Sequence, residues 1–158
     1  GMALAAYSPI GAVALALGFD ALALLGGVLA VGTTRLPDLD EHVSFVTHRG
    51  PTHTVWFALV VGGVFGVGGT LLGARESLAV ARTLGTFAAL VGVVSIVAHL
   101  LADALNPAGV RPFAPVRDTR YTLRVTGAAN PLANYLLLAG GIVAVLAAVL
   151  VGRAIGSA

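Results

Sequence analysis

The stretch SLAVARTLGTFAALVGVVSIVAHLLADAL, Ser77 to Leu105, is apolar over an unusual length and closes with a histidine and an aspartate four residues apart. Crossing a hydrocarbon core of roughly 30 Å takes about 20 residues of helix. At 1.5 Å per residue this segment, about 29 residues long, reaches roughly 43 Å. Its last turns therefore extend to the membrane–water boundary and carry His99 and Asp103 there. Residues at i and i+4 share one helical face about 6 Å apart, so the pair can hold one metal ion from a single rigid element. Ionisable groups in spanning segments are costly and mark functional sites.

Composition agrees with a membrane setting. Hydrophobic residues make up 58% of the chain and charged residues 10%, against about 25% charged in soluble proteins, and the mean hydropathy is +0.96. The 158 residues show no composition shift, which predicts a single domain over 1–158. All the basic residues are arginines and the net charge is only +2; nucleic-acid binding is not expected. The absence of cysteine excludes disulfides, iron–sulfur clusters and thiol catalysis.

Two further segments are long and apolar enough to span, Thr54 to Leu72 and Leu132 to Val151. Met2 to Thr34 holds Asp20 in its middle, and a helical hairpin relieves the cost of that carboxylate. In this reading Ser8 and Pro9 start a short first helix, Gly18 ends it, and Asp20 caps a second. The start lacks the basic region of a signal peptide and is read as a retained helix. The expected fold is all-α, a polytopic membrane bundle of about five helices, the first short, with a metal site at one membrane face.

Two long helices separate the loop Arg35–Pro51 from the loop Asn106–Asn130, so both loops emerge on the same face. They carry Arg35, Arg49, Arg111, Arg117, Arg120 and Arg124, against Arg75, Arg82 and Arg153 on the other. By the positive-inside rule the motif-bearing face is cytoplasmic. In LPDLDEH, the alternation lets Asp38 and Asp40 point the same way in an extended loop. HRGPTH brings His48 and His53 around a Gly-Pro turn, with Thr52 as the expected cap of the next helix. With His42, three of the four histidines crowd into residues 42–53. Imidazoles and carboxylates together suit zinc or manganese. Arginines near such a site suit an anionic phosphate or carboxylate substrate, although juxtamembrane arginines also meet lipid headgroups.

LPDLDEH, HRGPTHT and AHLLADALNPAGVRPFAPVRDTRY, in this order, closely resemble the YdjM-like, LexA-regulated inner-membrane proteins predicted to be metal-dependent hydrolases. That family is itself distantly similar to zinc-dependent phospholipase C and the P1-type nucleases. The resemblance covers Leu36 to Tyr121 and implies Asp38, His53, His99 and Asp103 as ligands of one or two ions, zinc or manganese. Members usually carry a further histidine before the first helix, at a place that falls near Tyr7 and Gly11 here; this chain has none.

The implied activity is hydrolysis of a phosphoester in a membrane lipid or other amphiphile by a metal-activated water. Asp40 would orient a ligand, act as general base or add a ligand. His48 would protonate the leaving group or add a ligand, and Arg49 and Arg111 would neutralise substrate charge. The alternatives are a metal transporter, for which ligands at mid-membrane are expected, and a structural adaptor. The oligomeric state is left open, since the glycines of VVGGVFGVGG permit close packing within or between chains.

Overall fold

A computed structural model describes residues 1–42 and 50–157. Among them the fold is a bundle of five helices with no strand: α1 Met2–Ala16, α2 Asp20–Thr33, α3 Val55–Gly73, α4 Leu78–Leu105 and α5 Pro131–Gly156. Four apolar helical segments are long enough to cross a membrane, Asp20–Glu41, Val55–Gly73, Leu78–Leu105 and Pro131–Gly156, and α1 is a shorter apolar helix. Large apolar side chains lie on the outside, Leu24 and Leu150 each 72% exposed. Such a surface is stable only against lipid.

The first hairpin differs from expectation in detail. Pro9 does not begin α1; the helix runs from Met2 through it. Proline deprives the Ala5 carbonyl of its N–H partner, and the Ser8 hydroxyl, donating to Ala5 O at 2.8 Å, takes its place. Gly18, at φ +78°, ends α1 in the left-handed region that glycine tolerates. Asp20 makes no cap hydrogen bond and opens α2 as its first residue. Its carboxylate pairs with Arg153 at the far end of α5.

Small residues let the backbones close. α3 lies along α4 with glycines at the contact: a Cβ on Gly92 would stand 3.0 Å from Gly62 Cα. Tyr7 is buried between α1 and α2, donating to Ala23 O at 2.7 Å, and with Ala30 and Val91 it forms an apolar cluster. The place where the resemblance puts a histidine is thus a core position here. A second cluster of Ala58, Val61 and Ile96, with Leu36 and Phe57 against it, lies where α3 meets α4.

The long loop after α4 is folded. α4 ends at Leu105 with Asn106 as its cap residue, and its free carbonyls accept from Leu123 N to Ala104 O at 2.7 Å and from Val125 N to Leu105 O at 2.9 Å. Val110 and Tyr121 form an antiparallel bridge. Gly109 turns at φ +64°, where a Cβ would meet Tyr121 O at 2.5 Å. Val55 N donates to Pro112 O at 2.8 Å, tying the start of α3 to this cap.

Candidate metal centre

Three elements deliver the site. α4 supplies His99 and Asp103 from one face, as their spacing requires. The end of α2 is fixed against α4 by Thr34, whose hydroxyl donates to Ala30 O at 2.7 Å and also approaches Ser95 O at 3.3 Å, one helical turn before His99. A 3₁₀ segment, Pro37–His42, then carries Asp38 and Asp40. This corrects the extended loop expected there. At about 120° per residue, alternate positions of a 3₁₀ helix face different ways, and the Asp38 side chain is 50% exposed while that of Asp40 is buried.

His53 comes from a second 3₁₀ turn, Pro51–His53. The cap of α3 is Thr54, whose hydroxyl oxygen accepts from Phe57 N at 3.3 Å. Thr52, read from sequence as that cap, instead donates its hydroxyl hydrogen to Asp40 Oδ2 at 2.6 Å and lies 3.0 Å from His53 Nδ1. With its one proton given to Asp40, Thr52 Oγ1 can only accept from His53 Nδ1–H. The Asp40–Thr52–His53 chain therefore fixes the tautomer and leaves Nε2 as a lone-pair donor.

That Nε2 faces the other three groups. His53 Nε2 stands 3.5 Å from Asp38 Oδ1 and 3.6 Å from Asp103 Oδ2; His99 Nε2 stands 3.4 and 3.5 Å from the same two atoms. The donors of Asp38, His53 and His99 all lie within 4.8 Å of one another, and the two imidazole rings meet edge to face at 5.0 Å. His53 is 1% exposed. Burial, followed by the neighbouring His99, holds its pKa below the ordinary imidazole value, so the ring is kept in the neutral form that binds metal. The buried Nε2 of His99 has the Asp38 and Asp103 carboxylate oxygens beside it at 3.4 and 3.5 Å, surroundings that suit a cation.

These spacings fit a shared cation. Donors about 2.0–2.2 Å from one ion stand roughly 3.0–3.6 Å apart, and the four His–Asp separations, 3.4–3.6 Å, are close to that size; Asp103 lies outside the group of three whose donors are all within 4.8 Å of one another. The four sequence-proposed ligands Asp38, His53, His99 and Asp103 are thus brought together, and Asp40 sits directly behind His53. Arg111 instead faces a neighbouring cavity, where its Nη1 donates to Asp118 Oδ1 at 3.1 Å. His48 and Arg49 lie outside the described residues.

The residue missed from sequence is Thr52. Its replacement by valine removes the hydroxyl bridge between Asp40 and His53 while keeping shape, leaves only the longer direct approach of Asp40 Oδ2 to Nδ1 at 3.4 Å, and is expected to weaken binding of added zinc about 10–100-fold, the usual effect of losing a group that orients a ligand. Chelator competition with circular dichroism as a control measures it; unchanged affinity would show that the relay is idle.

The family model described as YdjM inner membrane protein matches residues 2–157 of the chain. Neither the curated proteins nor the solved structures include a match.

Proposed function

The chain belongs to the YdjM inner membrane protein family, and from that premise we propose that it is a membrane-bound, metal-dependent hydrolase cleaving a phosphoester of a lipid or other amphiphile. The observation that carries the reading is the pairing of a closed donor ring with a tautomer-setting relay behind it, Asp40 Oδ2 to Thr52 at 2.6 Å and Thr52 to His53 Nδ1 at 3.0 Å. A salt-bridge cluster built only for stability has no need of an imidazole oriented in this way.

Asp38, His53 and His99 would hold the ion, with Asp103 beside both imidazoles as a further ligand, and a donor set of imidazoles and carboxylates suits zinc or manganese. The bound ion supplies a Lewis acid that polarises a phosphoryl oxygen and acidifies water. Asp38, half exposed, marks the open side by which water and substrate enter. Asp40 acts behind His53, as its buried position and its bond to Thr52 suit. His48 and Arg49, three and two residues before Pro51 in the sequence, would protonate the leaving group and meet the substrate's charge. The arginine-rich loop face is cytoplasmic in this reading.

The test is hydrolysis by zinc-loaded protein in proteoliposomes against a panel of phosphomonoesters, phosphodiesters and phospholipids. Turnover that stops with chelator, returns with zinc and is missing from His99→Ala supports the reading. Stoichiometric zinc without turnover on any phosphoester would replace it with a metal-stabilised membrane protein.

A further inference from the structure

A cavity of about 830 Å³ lies beside the metal centre, between the first turns of α3 and the folded loop after α4. Pro51 and Thr54 line it, while His53 between them turns its ring into the donor cluster. The Pro51–Thr54 turn is therefore a wall shared by the two sites. The volume falls in the range of about 300–1,000 Å³ usual for small-molecule sites.

Its lining comes from α3 and from the loop after α4, whose Val110, Ala114 and Pro115 stand beside its charged residues. Trp56, Phe57 and Val60 form one side; they belong to the first turns of a membrane-spanning helix, and Trp56 and Val60 are 43% and 60% exposed. This side opens toward the hydrocarbon at the depth where tryptophan concentrates in membrane proteins. Arg111, Asp118 and Arg120 form the other side. Arg111 and Asp118 neutralise each other. Arg120 is exposed and has no ion-pair partner among the described residues, so among those residues the charged side keeps one uncompensated positive charge.

We propose that this cavity holds an anionic phospholipid drawn from the bilayer, its phosphate at Arg120 and its acyl chain along Trp56 and Val60. An apolar wall open to lipid selects an amphiphile over a soluble anion, and the Arg120 guanidinium selects a charged headgroup. Assigning this lipid as the substrate rests on the hydrolase reading; its binding does not.

Trp56 is the single tryptophan of the chain and reports directly from the cavity. The protein is reconstituted in vesicles of equal parts phosphatidylglycerol and phosphatidylcholine, with bromine on the acyl chains of one lipid or the other. Brominated phosphatidylglycerol is expected to occupy the site in preference by about fivefold, the usual gain for one arginine meeting anionic lipid, and to quench Trp56 correspondingly more. Arg120→Gln, an exposed substitution, should remove most of that preference, and saturating inorganic phosphate should leave it intact. Equal quenching by both lipids overturns the proposal, as does a preference that Arg120→Gln retains or that inorganic phosphate abolishes. His99→Ala separates the two readings. That variant should lose hydrolysis and keep the lipid preference, so a failed hydrolase reading leaves this site standing, and intact hydrolysis without lipid preference removes this site alone.

Discussion

His99→Ala is expected to lower zinc affinity by more than about 100-fold, beyond what removing a group behind a ligand costs, while leaving the helical signal in circular dichroism unchanged. His99 Nε2 is spaced from both Asp38 and Asp103 as a co-ligand, and its loss leaves two carboxylates facing a single imidazole. His53→Ala should have an equal effect, since its Nε2 touches the same two oxygens. The fold survives because the truncated side chain projects from a helix of 28 residues whose packing rests on other positions. Zinc at 100 times its Kd should also stabilise the wild-type protein by about 2.7 kcal/mol, and this increment should vanish in the variant. Chelator competition and thermal unfolding in detergent measure both. Zinc affinity within about tenfold of wild type would show that His99 is not a ligand.

The parts of this site legible in the sequence are those set by helical period and chain topology. His99 and Asp103 share a face because they are four apart, and Asp38 and His53 meet them because two spans separate the loops that flank the site. What escaped was local conformation within the loops. LPDLDEH contains alternating carboxylates that suit an extended chain, but Pro37 opens a 3₁₀ segment, and the two aspartates divide into an exposed donor and a buried orienter. In PTHT, either threonine can cap the following helix by residue type. The helix begins at Val55, so Thr54 takes the cap and Thr52 is free to bridge Asp40 and His53. Pro9 looked like a helix start because proline is favoured there; the hydroxyl of Ser8 satisfies the carbonyl that proline leaves bare. The differences at the threonines and at Pro9 turn on single side-chain hydrogen bonds and that at Pro37 on one short turn, a scale below that of hydrophobic patterning.

The stability of the bundle should depend on one glycine and ignore its neighbour. Gly68 and Gly69 are adjacent in α3 and carry the same helix-propensity cost, so replacing either by leucine gains about 1 kcal/mol of intrinsic helix stability. Around Gly68 an added Cβ meets nothing within 4 Å, whereas at Gly69 it would overlap the backbone carbonyl of Leu84 in α4, with the carbonyl carbon at 2.8 Å. A side-chain neighbour could rotate away; a carbonyl within a helix cannot move without moving the helix. Gly69→Leu must therefore push α3 off α4, an overpacking that costs about 1–3 kcal/mol or more and outweighs the propensity gain. Gly68→Leu should leave the melting temperature in detergent unchanged or slightly raised. The strained variant should also bind zinc more weakly, because α4 carries His99 and Asp103 while His53 immediately precedes α3, and a shift between these helices widens the His53–Asp103 separation now at 3.6 Å. Thermal unfolding and zinc competition on the two variants test the coupling together. Equal melting temperatures would mean that α3 and α4 do not pack through Gly69; a lower melting temperature with unchanged zinc affinity would mean that the donor ring is held by the loops alone.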